Sequence, residues 1–350
     1  MKRKFKYLLF ILLLCSCEDV QDVPESFSEV NEFSVRKEQL VTTTAKSSGS
    51  KDAFGINDEI YIYGYSKLNT GDPGDRFMPK ASGTIGAAYQ YHMSYNNISQ
   101  EAWYRFQRVQ SGSDQEMGFW RTKQYHDFVA YYSESSDMVF SMDETGLPEE
   151  DLLWGKVEDV YFSGEAHIIP EIKLQHQLSR IRVEVVHDMQ GITSENFEIV
   201  KIEFNLSKKE AAFDRETRDW INIDASGQQI VKNFPPDYPS GFGMQMDENK
   251  FPRAELVEIA DWWVLPDCKL SNFEFTITQS GAEKSFSDVL FESFLDNTGG
   301  PAEIITKPGC ITVLRIEFGE VKQIIFTVSL EDWDVKKESS SITEEEIAPW

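Results

Sequence analysis

The sequence predicts an all-β chain folded as β-sandwiches, and three observations lead there. Apolar and polar residues alternate along many short runs, clusters of turn-forming residues separate those runs, and helical spacing is rare. Frequent short strands broken by Gly, Pro, Asn and Ser indicate sandwiches and not a parallel α/β sheet. With 350 residues the chain has room for about two domains. Its 41% apolar and 13% aromatic content is too high for a disordered chain.

The N-terminus is a targeting segment. Lys2, Arg3, Lys4 and Lys6 precede the apolar run Leu8 to Leu14, which ends at Cys15-Ser16-Cys17. A basic start and a short apolar stretch make a secretory signal, well under the ~18 apolar residues of a membrane span. Leu14-Cys15-Ser16-Cys17 resembles the bacterial lipobox, which implies cleavage between Ser16 and Cys17 and acylation of Cys17. Several acyl chains would anchor firmly, at about 0.8 kcal/mol per buried CH₂. The alternative is a secreted protein in which Cys17 is incidental. Glu18 and Asp19 resemble the surface-export signal of lipoproteins in Bacteroides-like bacteria, or else simply begin a solvated linker. Residues 17–52 read as a polar tether, with one candidate strand from Phe33 to Val41.

Strands follow in order. Ile60 to Tyr63 and Tyr125 to Tyr132 are apolar on both parities, which places them centrally with both faces covered. Val200 to Leu206, Phe273 to Ile277 and Ile324 to Leu330 alternate with period two and read as half-buried strands. In Ile172 to Val185 the apolar parity reverses after Leu178, so a bulge or break is expected near Ser179-Arg180. His176 falls among core-facing leucines and reads as a hydrogen-bonded core histidine. Residues 285–295 and 98–109 carry the only helix-like spacing, which allows a few short helices.

Composition and motifs narrow the chemistry. A charge of −25 counts against nucleic acid and anionic membrane surfaces as partners. None of the nucleophile-elbow, phosphate-loop, dinucleotide or zinc-protease motifs is present, so no catalytic residue, metal site or cofactor is assigned and an enzyme is not expected. With 59 Asp and Glu, no carboxylate pair stands out as a hydrolase dyad. Asn69 to Asp75 reads as a polar turn in preference to a Ca²⁺ loop, and Trp262-Trp263 as packing in preference to a sugar platform. After loss of Cys15 and lipidation of Cys17, Cys268 and Cys310 remain as a candidate disulfide, or as two buried thiols.

Several segments, in order, resemble the fimbrillin family of Bacteroides-type bacteria. They are Phe54 to Tyr63, Phe119-Trp120 with Tyr125 to Tyr132, Asp151 to Gly155, Leu174 to Val183, Pro308-Gly309, and Ile325 to Trp333. The resemblance implies two tandem transthyretin-like sandwich domains, placed here at residues 53–170 and 171–335, with an acidic tail at 336–350. It also implies a fimbrial subunit, anchor or adhesive tip in the outer membrane, assembled with other subunits by β-strand addition. In polymerising members, cleavage after an arginine exposes the acceptor groove. Arg36, the single arginine between Cys17 and Arg76, is the candidate cleavage point or a solvent-facing strand residue. The polar tail favours an anchor or accessory subunit over the shaft. The alternative function is a surface glycan-binding lipoprotein of a polysaccharide-utilisation system, with Trp103, Trp120 or Trp263 at the sugar.

Overall fold

The computed structural model describes residues 32–37, 59–78, 89–95, 104–108, 120–133, 137–164, 168–187, 197–236, 255–279, 281–287, 303–318 and 324–332. The first strands are β1 (Glu32–Lys37), β2 (Glu59–Lys67), β3 (Asp75–Met78), β4 (Tyr89–Tyr95), β5 (Tyr104–Arg108), β6 (Gln124–Ser133) and β7 (Val139–Ser141). Next come β8 (Leu152–Phe162), β9 (Glu171–His176), β10 (Ser179–His187), β11 (Phe197–Leu206), β12 (Glu210–Asp214) and β13 (Asp219–Asp224). The series ends with β14 (Gln228–Asn233), β15 (Glu255–Val264), β16 (Lys269–Gln279), β17 (Ala282–Phe286), β18 (Ile304–Ile305), β19 (Cys310–Phe318) and β20 (Ile324–Asp332). The described residues hold no helix. Tyr104–Arg108 of one candidate helix is β5, and Ser285-Phe286 of the other closes β17.

Four sheets result. An eight-stranded sheet has the order β3-β2-β4-β5-β1-β9-β8-β6, and β6 returns to pair with β2. The strands from β2 through β1 to β6 therefore form a closed ring, and among the described strands of this sheet β3 alone is left as an edge. The remaining sheets are β15-β10-β19-β20, β14-β11-β16-β17 with β18 beside β16, and β13-β12-β7.

Both-face burial of β2 and β6 follows from their double parity. Ile60, Ile62, Phe128, Ala130 and Tyr132 join the core inside the ring with Phe33, Val35, Tyr91, Trp120 and Ile172. Tyr63, Val129 and Tyr131 turn outward into a second, larger core that includes Ile181, Val183, Phe204, Trp262, Phe275 and Val313. That second core is shared by the four- and five-stranded sheets, with Phe204 of β11 edge-on to Trp262 of β15 at 5.2 Å.

The parity reversal after Leu178 has a larger cause than a bulge. β9 ends at His176 in the eight-stranded sheet, and β10 starts at Ser179 in the four-stranded one. The inward face changes because the chain changes sheets, and the break falls at Gln177-Leu178, just ahead of the expected position. His176 lies at the crossing and its Nδ1 is 2.8 Å from Asp151 Oδ1, both side chains buried. This is the satisfied core histidine that the sequence suggested.

Gly155 allows β8 and β9 to approach closely. A Cβ there would lie 2.1 Å from the Lys173 carbonyl oxygen, a backbone atom that cannot swing aside. Gly155→Ala should lower stability by at least the ~1–3 kcal/mol typical of overpacking. Thermal unfolding would register this as a fall in Tm, and an unchanged Tm would count against the close approach.

Candidate functional site

The feature that separates this fold from a plain pair of sandwiches is the placement of β1. The strand comes from the N-terminal side of the chain, yet it occupies an internal position of the ring, with a paired neighbour on each side. It runs antiparallel to β5, with Phe33 opposite Phe106 and Val35 opposite Tyr104. On its other side it runs parallel to β9, with Ser34 opposite Glu171 and Arg36 opposite Lys173. The Ser34 N–H donates to the Pro170 carbonyl at 2.9 Å.

Side chains fix β1 in register. Phe33 and Val35, of one parity, are fully buried in the ring core. The Phe33 ring meets Tyr91 edge-on at 5.1 Å and Phe128 at 5.0 Å. A one-residue slip would turn both anchors out of the ring core, so the register is strongly specified. Burying one Phe and one Val contributes roughly 3–6 kcal/mol, before the cost of ordering the segment.

A second contact ties the outer face of the ring to the rest of the chain. The turn between β12 and β13, Asp214 to Asp219, lies against Tyr63, Tyr131 and Trp154. The Arg215 carbonyl accepts hydrogen bonds from Tyr63 Oη and, at 2.7 Å, from Trp154 Nε1. The Arg215 guanidinium donates to Tyr131 Oη at 2.6 Å and sits 5.1 Å from that ring's centre. Arg218 packs 5.1 Å from the Trp154 ring and donates to Gln177 Oε1 at 3.0 Å and Gln175 Oε1 at 3.1 Å. Arg76 pairs with Glu216 and packs 5.0 Å from the Tyr63 ring. Burial raises the Tyr63 and Tyr131 hydroxyls above their ordinary pKa, so both stay protonated. Stacked, hydrogen-bonded arginines on buried rings form a specific clamp and not a sliding surface.

Two polar groups are built into β6. His126 is buried, with the Arg121 N–H donating to Nε2 at 3.1 Å and Nδ1 lying 3.3 Å from the Val160 carbonyl. Those partners select the neutral tautomer with hydrogen on Nδ1. Burial lowers its pKa to about 4. Asp127 follows it and holds Lys67 Nζ at 2.9 Å, while Asp159 Oδ1 lies 2.7 Å from the same nitrogen. Burial disfavours the Lys67 ammonium, but hydrogen bonds to Asp159 and Asp127 outweigh it and the net shift is upward.

The residues singled out by sequence are dispersed. Ser16 and Cys17 lie outside the described residues, as do Trp103, the 336–350 tail and most of the tether. Arg36 lies in β1, in register with Lys173. Cys268 and Cys310 are thiols and are not joined in a disulfide. The Cys268 N–H donates to Thr306 Oγ1 at 2.9 Å, and burial pushes its thiol up to about 11. Trp120 and Trp263 are each 3% exposed, so neither offers a stacking face for sugar, and Trp262 is buried too. Asn69 to Asp75 forms a turn in which Asn69 Nδ2 donates to Asp72 Oδ2 at 2.9 Å. Among the described residues no group of three or more His, Cys, Asp or Glu is arranged to hold a metal. None of them forms a helix long and apolar enough to cross a membrane.

Sequence reasoning missed the depth of β1, the Arg215 clamp and the Lys67 cluster. The last had a signal: Asp127 is a charge inside Tyr125 to Tyr132, a run apolar on both faces, and so requires a buried counter-charge.

Comparison with known proteins agrees with this architecture. The family described as fimbrillin-like matches residues 43–333. A solved candidate cell adhesion protein from Bacteroides ovatus is similar at 12% identity and a TM-score of 0.50, covering 89% of this chain and 100% of its own. Another from Bacteroides uniformis has 14% identity and a TM-score of 0.46, covering 89% and 99%. A fimbrial assembly protein from Parabacteroides distasonis has 10% identity and a TM-score of 0.41, covering 87% and 100%. No curated protein matches the sequence.

His126 yields a pH prediction. Its folded pKa of about 4 lies below the ordinary 6.5, so the unfolded chain takes up the proton first as pH falls. The stability it contributes is fully present above pH 6.5 and is lost on acidification through pH 4, a total of roughly 3 kcal/mol. Denaturant unfolding across that range should show a steeper acid loss in the native chain than in His126→Phe. Equal slopes would contradict a buried neutral imidazole.

Proposed function

The chain belongs to the fimbrillin-like family of fimbrial and adhesion-type proteins, and from that premise we propose that it is a surface-anchored component of a fimbria built by β-strand addition, with its own acceptor slot filled by β1. One observation supports this reading above all, the occupancy of an internal sheet position by β1. The strand fills a slot between β5 and β9 and anchors there through Phe33 and Val35. It is also the first described strand and joins β2 only through residues 38–58. Leaving the slot would break no other strand pairing and would open two backbone edges at once. A subunit partner supplying an extended segment with two alternate apolar side chains would restore both ladders.

The same geometry bears on the anchor role. Arg36 pairs with Lys173 inside the sheet, and a protease needs its substrate strand extended and unpaired. Cleavage at Arg36 therefore requires β1 to leave the slot first. A chain that keeps β1 in place is capped against strand addition at this position and remains continuous with Cys17, as suits a lipid-retained anchor or accessory subunit. Outer-membrane tethering rests on the Leu14-Cys15-Ser16-Cys17 sequence, with cleavage before Cys17 and acylation on it. The role is mechanical and adhesive, and no catalysis is assigned.

Mass spectrometry of the mature N-terminus, taken from cells, tests the reading. An acylated Cys17 with Arg36 uncut is expected, together with loss from the membrane fraction in Cys17→Ala and altered fimbriation on gene deletion. A start at Lys37 would identify a processed, polymerising subunit in place of an anchor. Unchanged fimbriae and adhesion in the deletion strain would overturn the fimbrial role itself.

A further inference from the structure

Lys67, Asp127 and Asp159 meet on three neighbouring strands of the ring, and their arrangement exceeds what an ion pair needs. Lys67 ends β2, Asp127 lies in β6 and Asp159 in β8. The side chains of Lys67 and Asp127 are 4% and 9% exposed, whereas that of Asp159 is 43% exposed. Nζ is 2.9 Å from the Asp127 carboxylate and 2.7 Å from Asp159 Oδ1. Two carboxylates thus converge on one amine, one buried and one open to solvent.

The backbone is distorted to produce this. The register between β6 and β8 shifts between His126 and Phe128, so that Val160 and Val157 face them and β8 carries an extra residue. Asp159 lies in that bulge with φ of 58°, a left-handed conformation uncommon for a residue with a side chain. In that conformation its N–H donates to Asp127 Oδ1 at 2.9 Å while its own carboxylate reaches Lys67. Asp127 therefore has a backbone donor polarising its carboxyl group, an amine beside it, and a second carboxylate to move protons. Tyr125 and Tyr161 stand in the cross-strand row of Lys67 with their rings 5.0 Å apart.

We propose that Lys67 and Asp127 form an intramolecular isopeptide bond, with Asp159 as the proton carrier. A proton passes from the Lys67 ammonium through Asp159 to the Asp127 carboxylate, leaving a neutral amine and a neutral acid. The Nζ lone pair forms a bond to Asp127 Cγ, and the Asp159 N–H stabilises the developing oxyanion. Asp159 then takes a proton from Nζ and returns it to the departing hydroxyl. The Cγ–O bond breaks and one water leaves by the exposed side. An ammonium and a carboxylate become an amide and water, with no oxidant or co-reactant. The resting lysine is protonated, so the reaction is slow, but it need occur only once per molecule. Conversion of two poorly solvated ions to a neutral amide favours the product. The bond would join β2 to β6 covalently where they pair, bypassing the intervening chain under tension.

Tryptic mapping of the full chain reads this directly. Trypsin does not cut after an acylated lysine, so residues 52–76 should appear joined to residues 124–156, lighter by one water than the two peptides together. Lys67→Arg keeps the positive charge and should abolish the joined species. Asp159→Asn should slow its appearance after refolding by about 10²-fold. Recovery of residues 52–67 and 68–76 as separate peptides from the native chain would overturn the bond and leave a buried ion pair. A joined species that forms at the native rate in Asp159→Asn would overturn the role given to Asp159.

Discussion

Backbone hydrogen bonding between β1 and its two neighbours is the constraint on which the ring depends. β5 and β9 each present an edge that only an extended segment can satisfy, and β1 satisfies both, antiparallel to one and parallel to the other. A buried edge without its ladder leaves several unpaired amides and carbonyls, each costing about 1–3 kcal/mol. A strand in that position cannot be a loosely attached tail. It closes the sheet and completes the core around Tyr91 and Phe128. Under the proposed strand addition, the strand that leaves and the groove that receives its replacement are one structural element.

Closure of the ring also conditions what lies outside it. β2 and β6 bury both faces, one against the ring core and one against the larger core beyond. The Asp214 to Asp219 turn fastens to the outward face through arginines on Tyr63, Tyr131 and Trp154. β2 and β6 are thus held both by their sheet ladder and by an aromatic clamp on their outward faces. The Lys67 cluster lies on those same two strands, where a covalent link would matter most.

Much of the strand content was legible in the sequence, and the reasons are local. Val200 to Leu206 and Phe273 to Ile277 fall within β11 and β16 because period two survives wherever one face is buried. The double parity of Ile60 to Tyr63 correctly placed β2 at the centre. The reversal after Leu178 was visible, but its cause was not, because alternation reports which face is buried and not which sheet owns the strand. Nor could spacing reveal that Ser34 pairs beside Glu171, since long-range parallel pairing leaves no periodic mark. The Lys67 cluster left one mark, the charge of Asp127 inside a run apolar on both faces, but among 59 acidic residues nothing in the sequence named Lys67 and Asp159 as its partners. The bulge that brings the Asp159 carboxylate to Lys67 is visible only in the fold.

Native-state hydrogen exchange on a chain beginning at Lys37 measures the role of β1 most directly. If β1 closes the ring, amides of β5 and β9 lose protection while those of β10 and β19 keep theirs, and a peptide of residues 32–37 restores the loss. Unchanged protection of β5 and β9 without β1, or a loss spread evenly through every sheet, would contradict a removable strand in a defined groove.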